Sequence, residues 1–142
     1  MTGRHEHPQR RLLDTSTLLL LPRLHDATVL PVVPLISTIT LAELSVGPLV
    51  ARTESERAAR QAHLQQAEAD FDPPPFDAAA ARAFGQVASS LRQAAGKPAA
   101  RSSDAMIAAV AIAHDLPLYT CNVDAFAAIA QLNAVDVAHP DA

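Results

Sequence analysis

One cysteine, Cys121, stands in 142 residues. It cannot close an internal disulfide, so packing and hydrogen bonds must hold the fold, and a reducing cytoplasmic location is expected. No apolar run approaches the roughly 20 residues that a membrane-spanning helix needs. The first eleven residues carry basic groups, but Asp14 breaks the apolar run behind them and no small-residue cleavage site follows; a signal peptide is not expected. Lysine is nearly absent, Lys97 being the one example, and 11 basic residues face 15 acidic ones for a net charge of −4. A protein that coats nucleic acid by neutralising phosphate is basic, so that class is excluded. The four glycines are scattered, which removes the glycine-rich phosphate loops. The six histidines show no zinc spacing.

What is present is a chain 49% hydrophobic and 18% charged, the balance of a globular protein long enough for one domain with a real core. Residues 1–10 read as a polar leader, and 11–139 as the domain. "RLLD" has the composition of a short buried strand ending at Asp14, and "TSTLLLLPRL" reads as a short helix with Pro22 near its end. "PLIST" is a second strand. Thr38 or Thr40 is placed to cap the helix after it, and Thr40 and Glu43 have capping-box spacing. Gly47-Pro48 bends that helix, and "TESERAARQAHLQQAEADF" is a long polar one. Three consecutive prolines hold "FDPPPF" extended, and Asp77 caps the helix that follows, which stops near Gly96. "SSDAMIAAVAIAHDLP" is nearly all apolar after Asp104, so it is buried on most sides. "PLYTCN" is a strand, "DAFAAIAQL" a short helix and "AVDVAH" a final strand. Strands alternating with helices imply an α/β fold: a mainly parallel sheet of four to five strands with helices on both faces.

In such sheets ligands bind beyond the carboxyl ends of the strands. Asp14 closes the first strand. Glu43 opens the helix after the second, Asp104 opens the apolar helix, and Asn122 and Asp124 follow the "LYT" strand. Each acid has an ordinary alternative: Asp14 and its hydroxyl neighbours as a helix cap, Glu43 as the capping-box acid, Asp104 as a helix-dipole partner, Asp124 as an N-cap. Glu43 and Asp104 nevertheless sit in apolar neighbourhoods, where an unpaired carboxylate is costly. Four acids gathered at one edge repel unless cations lie among them. Mg²⁺ and Mn²⁺ take oxygen ligands, and two such ions clamp a phosphodiester and generate an attacking hydroxide. Other acid sites fit worse. A receiver domain needs a lysine in the site, and a haloacid-dehalogenase-type phosphatase needs Asp-x-Asp where this chain has Asp14-Thr15-Ser16.

Four segments in order, "LLDTSTLL", "STITLAELSVG", "RSSDAMIAAVAIAHDLPLYT" and "TCNVDAF", make residues 11–137 resemble the PIN-domain family and, within it, the VapC-type toxins of bacterial toxin–antitoxin pairs. The resemblance implies a Mg²⁺- or Mn²⁺-dependent endoribonuclease that cleaves structured RNA, tRNA or ribosomal RNA, by metal-activated water. It also implies a VapB-like antitoxin that occludes the site, and a homodimer. Residue by residue, it makes Asp14, Glu43, Asp104 and Asp124 the catalytic, metal-binding acids, with Ser16, Thr120 and Asn122 lining the pocket. Arg101 and Arg11 are the expected RNA contacts, with Arg10, Arg52, Arg57, Arg92 and Lys97 as further basic groups. Two departures stand out. Thr120-Cys121-Asn122 replaces the family's usual Thr-Arg-Asn, and Asp124 lies one position before the usual place of the fourth acid, which Ala125 occupies. They support an alternative, a catalytically weakened PIN-fold protein that mainly binds its antitoxin.

Overall fold

A computed structural model describes residues 10–24, 33–94 and 102–141. Four short strands form one parallel sheet: β1 (Arg10–Leu13), β2 (Val33–Ile36), β3 (Leu118–Thr120) and β4 (Ala134–Asp136), in the order β2-β1-β3-β4. Five helices connect or flank them: α1 (Thr15–Leu20), α2 (Thr38–Val46), α3 (Glu54–Asp70), α4 (Ala78–Gln93) and α5 (Ser102–Ala113). The α/β class and the parallel sheet with helices on both faces are as the sequence indicated. β1 starts at Arg10, and the rest of the expected leader lies outside the described residues.

Side chains alternate across a strand, and here the alternation sorts two cores. Leu12 is in register with Leu35 and Leu118. These three join Ala80 and Val87 of α4 and the apolar stripe of α5 in one buried cluster. Leu13, in register with Ile36 and Tyr119, faces the other way, against Leu18, Leu41, Leu44, Ala67 and Phe71. α4 and α5 therefore cover one face of the sheet and α1, α2 and α3 the other. Helix α5 is buried nearly all round, from Ala105 through Ala111 apart from Met106. Its alanines let it lie closely between α4 and the sheet. Pro34 is tolerated inside β2 because β2 is an edge strand.

The ends of the elements refine the sequence reading. Asp14, Thr53 and Asp77 cap α1, α3 and α4 by accepting from the backbone amides of Thr17, Glu56 and Ala80. The cap of α2 is Ser37 rather than Thr38 or Thr40. The Ser37 hydroxyl accepts from the Thr40 amide, while that of Thr38 accepts from the amide of Phe76. Gly47-Pro48 ends α2 in a short 3-10 turn, Gly47–Val50. α5 ends in a Schellman motif, with Leu116 N–H donating to Ala111 C=O at 2.8 Å and Asp115 N–H to Ile112 C=O at 3.2 Å. Asp115 takes the left-handed position there, with φ 53°. The short helix expected over "DAFAAIAQL" is instead a 3-10 turn, Val123–Phe126, whose N-cap position is held by Asn122, without a side-chain capping bond, while Asp124 lies in its first turn. Phe126 and Ile129, both buried, anchor the segment at the three-residue spacing that suits a 3-10 turn. Among the described residues no helix is long and apolar enough to cross a membrane.

Candidate active site

From β1 the chain moves outward to β2, then returns to the opposite side of β1 for β3 and β4. The carboxyl ends of β1 and β3 therefore form the topological switch point, where an open parallel sheet leaves a crevice. Asp14 follows the last residue of β1, and Thr120 is the last residue of β3. Asp14, Thr17, Ser37, Thr40 and Thr120 are all buried polar residues, and all lie at or just beyond the carboxyl ends of β1, β2 and β3.

Asp14 is only 2% exposed. Its Oδ1 accepts from the Thr17 amide at 3.2 Å, and its Oδ2 accepts from the hydroxyls of Thr120 at 2.8 Å and Ser16 at 3.3 Å. The helix cap and the buried strand-end carboxylate are thus one residue. Thr120 Oγ1 also accepts from the Asn122 amide at 2.9 Å, and Thr17 Oγ1 from the Cys121 amide at 2.9 Å. Two hydroxyls, of Thr17 and Thr120, and the Asp14 carboxylate so stitch the ends of β1 and β3 together.

Glu43 lies in the second turn of α2 and accepts at Oε1 from the Thr15 hydroxyl at 2.5 Å. Thr15 Oγ1 is 2.9 Å from Thr40 Oγ1. A threonine has one hydroxyl proton, and Thr15 gives its proton to Glu43, so Thr40 donates to Thr15. A relay Thr40, Thr15, Glu43 results, one residue from Asp14. The capping-box spacing of Thr40 and Glu43 is real but does other work: Thr40 reaches Glu43 through Thr15.

Asp104 is half-buried in the first turn of α5, and Asp124 is exposed beyond β3. Asp14, Glu43 and Asp124 follow the ends of β1, β2 and β3 in the chain and Asp104 opens α5, so the four acids come from four separate parts of the fold. Among the described residues no three acidic, histidine or cysteine side chains converge to hold a metal ion. The donors at this edge are carboxylates and hydroxyls, an oxygen chemistry that suits hard divalent ions. Burial pushes the Cys121 thiol above its ordinary pKa; a hydrogen bond with Thr17 opposes this, and the charges of Asp14 and Asp136 add to it. Cys121 is accordingly a thiol rather than a thiolate at neutral pH.

Arg11 stands in β1, short of the carboxyl edge. Its Nε donates to the Tyr119 hydroxyl at 3.3 Å, and its guanidinium lies 5.7 Å from the centre of that ring. Arg101 and Lys97 lie outside the described residues. Arg57 is paired with Glu54 on the surface of α3. Beside Glu43 the structure opens a cavity of about 250 Å³, whose wall includes Arg60 and His63 of α3. Sequence reasoning missed both, since they lie in a polar helix with no motif; the signal available was their three-residue spacing on one helix face.

Comparison with known proteins bears on the chain as a whole and on its fold. The PIN domain model matches residues 11–132. The chain is 35% identical over 132 residues to ribonuclease VapC5 of Mycobacterium tuberculosis, which spans 92% of this chain and 95% of the relative. Its fold matches a crystal structure of VapBC-5, a member of the VapBC family of toxin–antitoxin systems from the same organism. There the TM-score is 0.77 and the identity 32%, over 92% of this chain and 98% of the other. A DNA-bound VapBC from Salmonella typhimurium shares the fold with a TM-score of 0.74 at 22% identity, over 92% of this chain and 98% of that one.

Proposed function

The chain belongs to the PIN-domain family, and on that premise we propose that it is a VapC-type ribonuclease, the toxin of a toxin–antitoxin pair. The observation that carries this reading is Asp14: a carboxylate 2% exposed, delivered by β1 to the switch point of the sheet in a chain 35% identical to a ribonuclease. Asp14, Glu43, Asp104 and Asp124, no three of which converge in this structure, are the residues that would hold Mg²⁺ or Mn²⁺, with Ser16, Thr120 and Asn122 around them. A divalent cation there would supply Lewis acidity and positive charge against a phosphodiester. The chain's own part is positional. Thr17 and Thr120 hold the two Asp14 oxygens in place, and Thr15 holds Glu43. The substrate in this reading is structured RNA, tRNA or ribosomal RNA. Attack by water rather than by the 2′-hydroxyl leaves a 5′-phosphate and a 3′-hydroxyl.

The partner in this reading is a VapB-like antitoxin, supported by the toxin–antitoxin assemblies that share the fold. Leu19, Val46, Leu49 and Val50 are 49, 52, 85 and 61% exposed, on α1, the end of α2 and the turn after it. They are the apolar side chains such a partner would cover. A homodimer completes the proposal.

The test incubates purified chain with total tRNA and ribosomal RNA in Mg²⁺, in EDTA, and as Asp14→Asn. Cleavage lost in EDTA and in the variant, with 5′-phosphate ends, supports the reading. Full activity in either, or 2′,3′-cyclic phosphate ends, refutes it. Cys121, which replaces the family's usual arginine, favours a second reading, a weakened nuclease that chiefly binds its antitoxin. Growth arrest on expression, relieved by Asp14→Ala, separates the two.

A further inference from the structure

We propose that the cavity beside Glu43 is a subsite for one unpaired base of the RNA, held by stacking on Arg60 and His63; the proposal rests on the ribonuclease reading. Thr15 and Glu43 line this cavity of about 250 Å³ and also belong to the acid site, so ligands at the two places share two side chains. Leu19 and Leu44 supply apolar wall from α1 and α2, and Arg60 and His63 supply the α3 side. These two are three residues apart on α3, hence neighbours on one helix face.

Unpaired RNA bases are held by stacking on aromatic side chains, histidine or the guanidinium plane of arginine. This chain has no tryptophan, one tyrosine and four phenylalanines, and none of these aromatics lines the cavity. The planar groups that do line it are Arg60 and His63. The Arg60 guanidinium is already oriented, with Nη1 donating to the Gly47 carbonyl at 2.9 Å and Nη2 pairing with Glu56 at 2.5 Å. Guanidinium N–H bonds lie in the plane, so both contacts set its orientation without occupying its faces. Gly47 makes room for this: a Cβ there would stand 3.3 Å from Arg60 Cδ.

Size and charge select the occupant. An α-helix about 10–12 Å across cannot enter a space of this volume, whereas a single flat base can. In a chain of net charge −4, Arg60 also places a permanent positive charge at the cavity, beside the phosphates flanking that base.

The experiment has two arms. In the first, wild type, His63→Ala and Arg60→Lys cleave a randomised RNA oligonucleotide pool, and the cut ends are sequenced. The expected result is a base preference at one position near the cut, weakened about fivefold or more in each variant, as the loss of a stacking contact predicts. Arg60→Lys keeps the charge and removes the plane, so an effect there assigns stacking rather than charge. In the second arm, Asp14→Asn protein, with and without His63→Ala, is titrated with an RNA hexamer carrying 2-aminopurine. A fluorescence change that His63→Ala abolishes supports the subsite without requiring cleavage. Cleavage with the base preference unchanged in both variants overturns the subsite and leaves the ribonuclease reading standing. Absence of cleavage by wild type overturns that reading instead, and the fluorescence arm then decides base binding alone. If His63→Ala weakens antitoxin binding but leaves base preference and fluorescence unchanged, the cavity takes a protein side chain and the subsite is refuted.

Discussion

Thr120→Val isolates the contact that joins β1 to β3. Valine has nearly the shape of threonine, so packing at this fully buried position is kept while the hydroxyl is lost. Two bonds disappear: the 2.8 Å donation to Asp14 Oδ2 and the 2.9 Å acceptance from the Asn122 amide. A hydrogen bond to a charged group contributes about 1.5–3 kcal/mol. The Asn122 amide is only part-buried, so water replaces its partner and the loss there is about 1 kcal/mol at most. The expected destabilisation is therefore about 1.5–4 kcal/mol. At about 4 °C per kcal/mol for a domain of this length, Tm falls by about 6–16 °C. Thr120→Ser keeps both bonds and loses one methyl, a cost of about 1 kcal/mol. Urea unfolding in EDTA measures both variants, with the denaturant slope as a check that the unfolded state is unchanged. If valine falls within about 0.5 kcal/mol of wild type, or serine costs as much as valine, the hydroxyl is not what ties the two strands together.

Four further outcomes follow from other parts of the molecule. Ile107→Ala, at a fully buried position in α5, costs about 2–5 kcal/mol by calorimetry; a loss under about 1 kcal/mol would mean that α5 is not packed as described. Asp115→Gly relieves a left-handed backbone position and raises stability by about 0.5–1 kcal/mol in urea melts, whereas a loss would contradict the Schellman ending of α5. Because the Cys121 pKa is raised, its thiolate fraction at pH 8 is below that of a free cysteine, and alkylation by iodoacetamide is slower than that of a model thiol. Asp136→Asn removes one of the charges that raise it and speeds the reaction; equal rates in the two proteins would remove that charge from the account. Leu49→Ser, at a side chain 85% exposed, leaves stability within about 0.5 kcal/mol but weakens antitoxin capture, and undiminished capture would place the partner elsewhere.

The architecture was legible because its signals are local. "RLL" and "PLI" are short apolar runs bounded by polar residues, and the apolar stretch after Asp104 is too long and uniform to be anything but a buried helix. Asp77 and Thr53 cap helices as their positions suggested. The misses fall where local signals were degenerate and distant contacts decided. Ser37, Thr38 and Thr40 are all competent caps, and what chose among them was the arrival of Phe76 and Thr15 from elsewhere in the chain. The 3-10 turn at Val123–Phe126 was read as helix because alanine favours helix, but burial of Phe126 and Ile129 decided otherwise.

The order of residues along the chain determined that acids would end up beyond the strands' carboxyl ends, because a parallel sheet puts every strand's last residue on the same edge. It determined too that Asp14 would be among them. Tertiary structure alone decided how those acids are held. Asp14 meets Thr120 across 106 positions and Thr15 meets Glu43 across 28. No spacing rule reaches that far, since such pairings depend on which strands become neighbours and on the register between them. The same holds for Arg60 and His63. Their place beside Glu43 follows from α3 packing against α2, and nothing in the polar helix that carries them announces it.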